Sequence, residues 1–241
     1  MTPDNKSVVT LVEEIVPQQR TQTIGGVAPT HGKEAGTGFP ARRLRRLRQN
    51  ERFRRLVREH SLAIDDLLLP LFVVPGYGIK HEINAMPGNY HLSIDKLIEE
   101  VKEVRDLGIP GILLFGVPDP REKDLFATGA FAPNGIIQGA VRALKKNVPE
   151  VLVVTDVCLC EYTPHSHCGI LDNGYLVNDA SKEVLAKTAL SHVQAGSDMV
   201  APAAMLDGQI RALREMLDSD GFVNTPIMAY SAKYASKLYD P

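Results

Sequence analysis

From Leu67 onward the apolar positions follow two alternating patterns. Leu67–Val74 (LLLPLFVV), Gly111–Phe115 (GILLF), Val151–Val154, Asp198–Ala201 and Pro226–Tyr230 are short runs without polar alternation, as expected of strands covered on both faces. Between them, Ser93–Leu107 carries Ile94, Leu97, Ile98, Val101 and Val104 at helical spacing, with Ser93 as the N-cap. Gly135–Lys146, Asp179–Ala195 (stopped by Gly196) and Gln209–Leu217 read as further helices. Strands alternating with helices predict βαβ units and a parallel sheet. The first and fifth runs begin near residues 69 and 226. Four repeats therefore take about 157 residues, roughly 40 each, whereas a closed barrel needs eight units. The pattern predicts an open five-stranded sheet or five units of a larger barrel. Pro75-Gly76-Tyr77-Gly78 after the first run fits neither the dinucleotide fingerprint nor the P-loop, which argues against a doubly wound nucleotide-binding fold.

Residues 1–41 carry no sustained period and are punctuated by Gly25, Gly26, Gly32, Gly36, Gly38, Pro29 and Pro40. They read as an extended arm, ordered by a partner chain or by the domain surface. Residues 42–60 hold nine arginines among Leu44, Leu47, Phe53, Leu56 and Val57. They predict either an anion- or partner-binding helix or a solvated helix whose arginines pair with carboxylates. The formal net charge of −2 over 241 residues favours the second reading and gives no global basic surface for nucleic acid. With 44% hydrophobic and 23% charged residues the composition is that of a globular protein. No apolar run approaches the ~20 residues of a membrane span. The N-terminal stretch, with Asp4, Glu13 and Glu14, lacks a signal core. A cytoplasmic location is the expectation.

The third strand leads into Thr155-Asp156-Val157-Cys158-Leu159-Cys160-Glu161-Tyr162-Thr163-Pro164-His165-Ser166-His167-Cys168-Gly169. All three cysteines of the chain fall within these eleven residues, 158–168, spaced Cys-x-Cys-x7-Cys. Three thiolates bind zinc and leave a fourth position open, the catalytic pattern. Loops after the C-terminal ends of parallel strands are also where catalytic groups belong. A disulfide would leave one thiol over and suits a secreted chain. Inert buried thiols would sit on strands or helices rather than in a loop rich in Pro, His, Ser and Gly. His165 or His167 as a fourth ligand would instead make the site structural.

A second constellation closes the fifth run: Tyr230-Ser231-Ala232-Lys233-Tyr234-Ala235-Ser236. A lysine at a strand end, flanked by tyrosines and alanines, loses hydration. Its pKa then falls, and the amine can attack a carbonyl to form a Schiff base. The plainer reading is a surface lysine snorkelling past the tyrosines; a thiol loop on the same rim favours the catalytic one.

Together these residues resemble the 5-aminolevulinate dehydratase (porphobilinogen synthase) family. Asp156 to Thr163 followed by His165 to Gly169 resembles the family's cysteine-rich zinc loop, and Tyr230 to Ser236 resembles the segment carrying one of its two Schiff-base lysines. Met86-Pro87-Gly88, Leu114 to Pro118, Asn178-Asp179 and Ala201-Pro202 to Asp207-Gly208 fit as well. The resemblance runs from about Arg42 to Pro241. It implies an α/β fold of the TIM (β/α)8 barrel family, here about five of eight βα units. Residues 1–41 would be the N-terminal arm and residues 42–241 a partial catalytic barrel. It implies condensation of two 5-aminolevulinate molecules into porphobilinogen for tetrapyrrole (heme) synthesis, by a homo-oligomer that is usually an octamer. Cys158, Cys160 and Cys168 would hold Zn2+, with Mg2+ as a second, regulatory ion. Lys233 would form the imine, Asp156 would help move protons, and Tyr239 and Ser231 would line the substrate. The family's second lysine and its carboxylate-binding arginines have no counterpart before Pro241, so the 241-residue chain taken literally is expected to be poorly active. Ala203-Ala204 also stands where a serine, often followed by an aspartate, is usual. Two other classes remain to be separated from this reading. A class I aldolase type of barrel needs no thiolate trio, and a non-catalytic zinc module would show four protein ligands and no imine at Lys233.

Overall fold

The computed structural model describes residues 44–232. The predicted arm, Lys233 and Tyr239 lie outside the described residues. The chain divides between Glu59 and His60 into two compact units.

In the first unit the arginine-rich stretch is broken rather than one helix. A 3-10 turn spans Leu44–Arg48, and α1 covers only Glu51–Leu56, with the Asn50 side chain accepting from the Phe53 amide at 3.1 Å. Asn50 interrupts the run and restarts the chain as a cap. Glu51 pairs with Arg54 at 2.7 Å and with Arg58 at 3.5 Å, both exposed.

The second unit is an α/β layer structure. Its strands are β1 (Leu68–Val73), β2 (Lys80–Glu82), β3 (Tyr90–Leu92), β4 (Gly111–Gly116), β5 (Leu152–Val157), β6 (Leu171–Asp172), β7 (Tyr175–Leu176) and β8 (Met199–Pro202). The helices are α2 (Ile94–Asp106), α3 (Ile136–Asn147), α4 (Asn178–Ala195) and α5 (Gln209–Ser219). One sheet has the order β2-β3-β1-β4-β5-β8, with β1, β4, β5 and β8 parallel and adjacent. These four are the first four predicted barrel strands, in sequence order. Among the described residues the sheet does not close into a barrel.

The fifth predicted strand, Pro226–Tyr230, is a correction. It makes a single bridge, Val200 to Ile227, with backbone bonds from Val200 to Pro226, from Met228 to Val200 and a long one from Tyr230 to Pro202 at 3.4 Å. Pro226 has no N–H to give, and the segment pairs on one side only among the described residues. Two features were not foreseen. The β2–β3 hairpin adds a parallel neighbour to β1, and β6–β7 is a two-residue ribbon. Both are too short to show a period.

The helices form where expected because their apolar stripes match the sheet. α2 buries Leu97, Val101 and Val104, and α3 buries Ile137, Ala140, Val141 and Leu144, each large side chain stabilising by roughly 1.5–3 kcal/mol. Ser93 precedes α2, but its hydroxyl accepts from Ile79 N and donates to Asp95 rather than capping a helix amide. Gly196 ends α4 at φ +110°, a conformation that side chains resist. One core cluster joins β1, β4 and β5 to α2 and α3. A second joins β5 and β8 to α4 and α5 and contains Val157, Cys158, Leu159 and Tyr162. The thiol loop is thus rooted in core rather than laid over it. No described helix is long and apolar enough to cross a membrane.

Candidate metal centre

β5 is buried along Val153–Val157 because sheet neighbours and helices cover both its faces. Its register pairs Asp156 with Ala201 and Val157 with Pro202, so Cys158 is the first residue past the strand's C-terminal end. Leu159 is fully buried and fastens the start of the loop, and Tyr162 N donates back to the Leu159 carbonyl at 3.0 Å. Thr163 donates to the His167 carbonyl at 3.3 Å, and Ser166 takes a positive φ of 58°. These turns reverse the chain and return Cys168 to the first two thiols. Gly169 follows where a Cβ would lie 2.5 Å from Leu176 Cδ1 and 2.8 Å from Ser181 Oγ. A side chain here would crowd both, so glycine suits the close packing of the returning chain on α4, where Ile170 N donates to Ser181 Oγ at 2.8 Å.

The outcome is a compact sulfur cluster. The three Sγ atoms lie within 4.8 Å of one another, with Cys158 Sγ 3.3 Å from Cys160 Sγ. None is in a disulfide. A tetrahedral ion with metal–sulfur bonds of ~2.3 Å spaces its sulfurs about 3.8 Å apart, so these side chains fit one metal ion with little movement. Among the described residues this is the only group of three or more metal-ligating side chains so placed. His165 and His167 are not part of it. The His167 amide donates to His165 Nδ1 at 3.2 Å, and the two rings are 5.5 Å apart. Burial and the neighbouring His167 hold His165 below the usual imidazole range.

The electrostatics suit a dication. Hydrogen bonds from Cys158 and Cys168, then burial, push the Cys160 thiol far up. For Cys158 the hydrogen bond with Cys160 lowers the pKa, but the bond with Cys168 and burial together outweigh it and leave the thiol raised. Cys160 donates to Glu161 Oε2 at 3.1 Å, and burial raises the Glu161 carboxyl. Such a crowd of acids ionises readily only beside a positive charge, which a bound metal provides.

Asp156, buried on β5, accepts a hydrogen bond from the Tyr230 hydroxyl. Burial, and then the negative charge of Asp156, push the Tyr230 phenol up. The structure therefore ties the acid before the thiol loop to the segment that leads to Lys233. Ser231 faces elsewhere. It accepts from Gln209 Nε2 at 2.9 Å and donates to the Pro202 carbonyl at 3.3 Å. A shallow hollow of about 440 Å³ lined by Met205, Leu206, Gly208, Gln209 and Ser231 lies on this side and contains none of the thiols. Sequence reasoning missed Tyr230 as the partner of Asp156, Glu161 as the partner of Cys160, and Gln209. Tyr230 was legible in principle, since it ends the fifth run on the rim that Asp156 approaches near the C-terminal end of β5.

Known proteins resemble this chain over most of its length. The family model for delta-aminolevulinic acid dehydratase matches residues 41–241. A delta-aminolevulinic acid dehydratase of Synechococcus elongatus is 54% identical over 207 residues, covering 84% of this chain and 63% of that protein. One of Ruminiclostridium josui is 46% identical over 200 residues, covering 83% of this chain and 97% of that protein. A crystal structure of the enzyme (porphobilinogen synthase) from Toxoplasma gondii, in complex with the reaction product porphobilinogen, superposes with a TM-score of 0.77 at 40% identity. It covers 82% of this chain and 56% of that one. The chain thus spans a little under two thirds of the length of most of these relatives.

Proposed function

The chain belongs to the delta-aminolevulinic acid dehydratase family, and on that premise we propose that it serves a porphobilinogen synthase, a lyase that condenses two molecules of 5-aminolevulinate into porphobilinogen. The observation that carries the reading is the thiol trio directly after β5, with Asp156 and Tyr230 linking it to the chain that enters Lys233. The aldolase alternative leaves the trio without a task. The zinc-module alternative needs a fourth protein ligand, and the thiol cluster includes none among the described residues. Neither is favoured.

Cys158, Cys160 and Cys168 would hold Zn2+, since soft thiolates select it over magnesium or calcium. When bound, zinc supplies Lewis acidity toward a substrate carbonyl or amine. Lys233 is the proposed nucleophile. Its amine forms a C–N bond to the substrate carbonyl carbon, and the carbonyl oxygen leaves as water. Asp156 takes up and returns protons beside that carbon, and Tyr230 holds its carboxylate in a fixed orientation. Tyr239 and Ser231 belong to the substrate wall. A regulatory Mg2+, assembly into a homo-oligomer such as an octamer, and a cytoplasmic location form part of the same proposal.

The test is chemical capture. The reduced, zinc-loaded chain is incubated with 5-aminolevulinate, treated with borohydride and digested, and the adduct is located by mass. An adduct on Lys233 is expected. An adduct elsewhere, or none, overturns the assignment.

A further inference from the structure

Gln209, the first residue of α5, is 4% exposed and has no role in the chemistry above. Its carboxamide nevertheless fastens two pieces of the rim together. Oε1 accepts from Leu206 N at 3.1 Å, and Nε2 donates both to the Ala204 carbonyl and to Ser231 Oγ at 2.9 Å. Ser231 passes the bond on to the carbonyl of Pro202, the last residue of β8. Asn178 holds the other end of the same loop. Its Oδ1 accepts from Asp207 N at 2.8 Å, and its Nδ2 donates to the Asp207 carbonyl at 3.2 Å.

This amide matters because the backbone ladder here is thin. Residues 226–230 touch β8 through one bridge and a few backbone bonds, the last of them 3.4 Å long. Side-chain bonds therefore decide where the chain goes next. Tyr230 is held by Asp156 and Ser231 by Gln209. Lys233 follows Ser231 by two residues in the sequence, a span of at most about 7 Å. A carboxamide suits the task because it combines two donors with an acceptor. Glutamate would lose the donors, and an apolar residue all three bonds.

We propose that Gln209 is a positioning residue for the imine-forming lysine: by holding Ser231 it fixes where the chain carrying Lys233 leaves the sheet. The inference rests on the reading of Lys233 given above. It also makes the Ser231 hydroxyl a strut, so that Ser231 shapes the substrate wall by its position.

The experiment compares the full chain with Gln209→Met, Ser231→Ala and the double variant. All are zinc-loaded, and the rate of borohydride-trapped adduct at Lys233 is measured against 5-aminolevulinate concentration. Zinc content and melting temperature are recorded alongside, and trapping is run well below melting. Each single variant should bind zinc as the parent does and lower the maximal trapping rate about tenfold, as expected of a sub-ångström misplacement. The half-saturating concentration should move less than about twofold. The double variant should be no slower than Gln209→Met, because both changes break the same bond. A merely destabilised protein would trap at the parent rate under these conditions. If Ser231→Ala traps as fast as the parent, the proposal is overturned, whether or not Gln209→Met folds. If the parent itself yields no adduct at Lys233, the reading of the lysine fails first and the inference falls with it.

Discussion

His192 lies on the buried side of α4, 1% exposed, and neither ring nitrogen reaches a well-formed hydrogen bond. Burial lowers its pKa from 6.5 to about 3, offset only in part by the Ala130 backbone, and no charged side chain contributes. The imidazole is therefore neutral in the fold and protonates in the unfolded chain near 6.5. Unfolding takes up a proton below that pH, so the contribution to stability is fully present above 6.5 and shrinks as pH falls toward 3. Between pH 7.5 and 5.0 the loss works out at about 2 kcal/mol, at 1.36 kcal/mol per unit. The perturbation is His192→Leu, which keeps the volume and removes the titration. Urea unfolding of both proteins, reduced and with chelator present to remove metal linkage, gives the stability at each pH. Other acids titrate equally in the two proteins. The parent should therefore lose about 2 kcal/mol more than the variant over this interval. Equal losses would refute the claim that a neutral imidazole is buried on the inner side of α4.

Other changes probe different parts of the account. Cys158→Ser should weaken zinc binding by about 100-fold or more in competition with a chromogenic chelator, since one of three thiolates is lost. Asp198→Ala removes the carboxylate that accepts from Val153 N at 2.8 Å and from Lys145 at 2.9 Å. It should cost roughly 2–3 kcal/mol in denaturant unfolding, because a half-buried ammonium and a buried amide lose their partner. Gly196→Ala, at φ +110°, should cost at least about 1 kcal/mol in the same assay, whereas an alanine placed at ordinary helical φ would be neutral or better.

The parallel strands and their helices were legible because the chain switches cleanly between unbroken apolar runs and 3.6-residue stripes, as in Gly111–Phe115 against Leu97, Val101 and Val104. The thiol trio was legible because Cys158, Cys160 and Cys168 lie within eleven residues of one loop. What the pattern concealed depends on partners distant in sequence. Tyr230 reaches Asp156 across 74 residues, and Gln209 reaches Ser231 across 22; no local period encodes either. The fifth run shows the same limit from the other side. Its apolar residues promise a strand, but Pro226 and one-sided pairing leave a single bridge. Likewise the run of arginines promises one helix, and the chain instead breaks at Asn50, which caps a short one over Glu51–Leu56.

The central claim is that three thiols at the end of β5 grip one ion and leave a position open to substrate. Zinc K-edge absorption of the loaded, reduced chain addresses it directly. Three sulfur scatterers at about 2.3 Å and one light atom are predicted, with only the light atom changing when 5-aminolevulinate is added. Fewer than three sulfurs, or the outer-shell signature of an imidazole from His165 or His167, would contradict it.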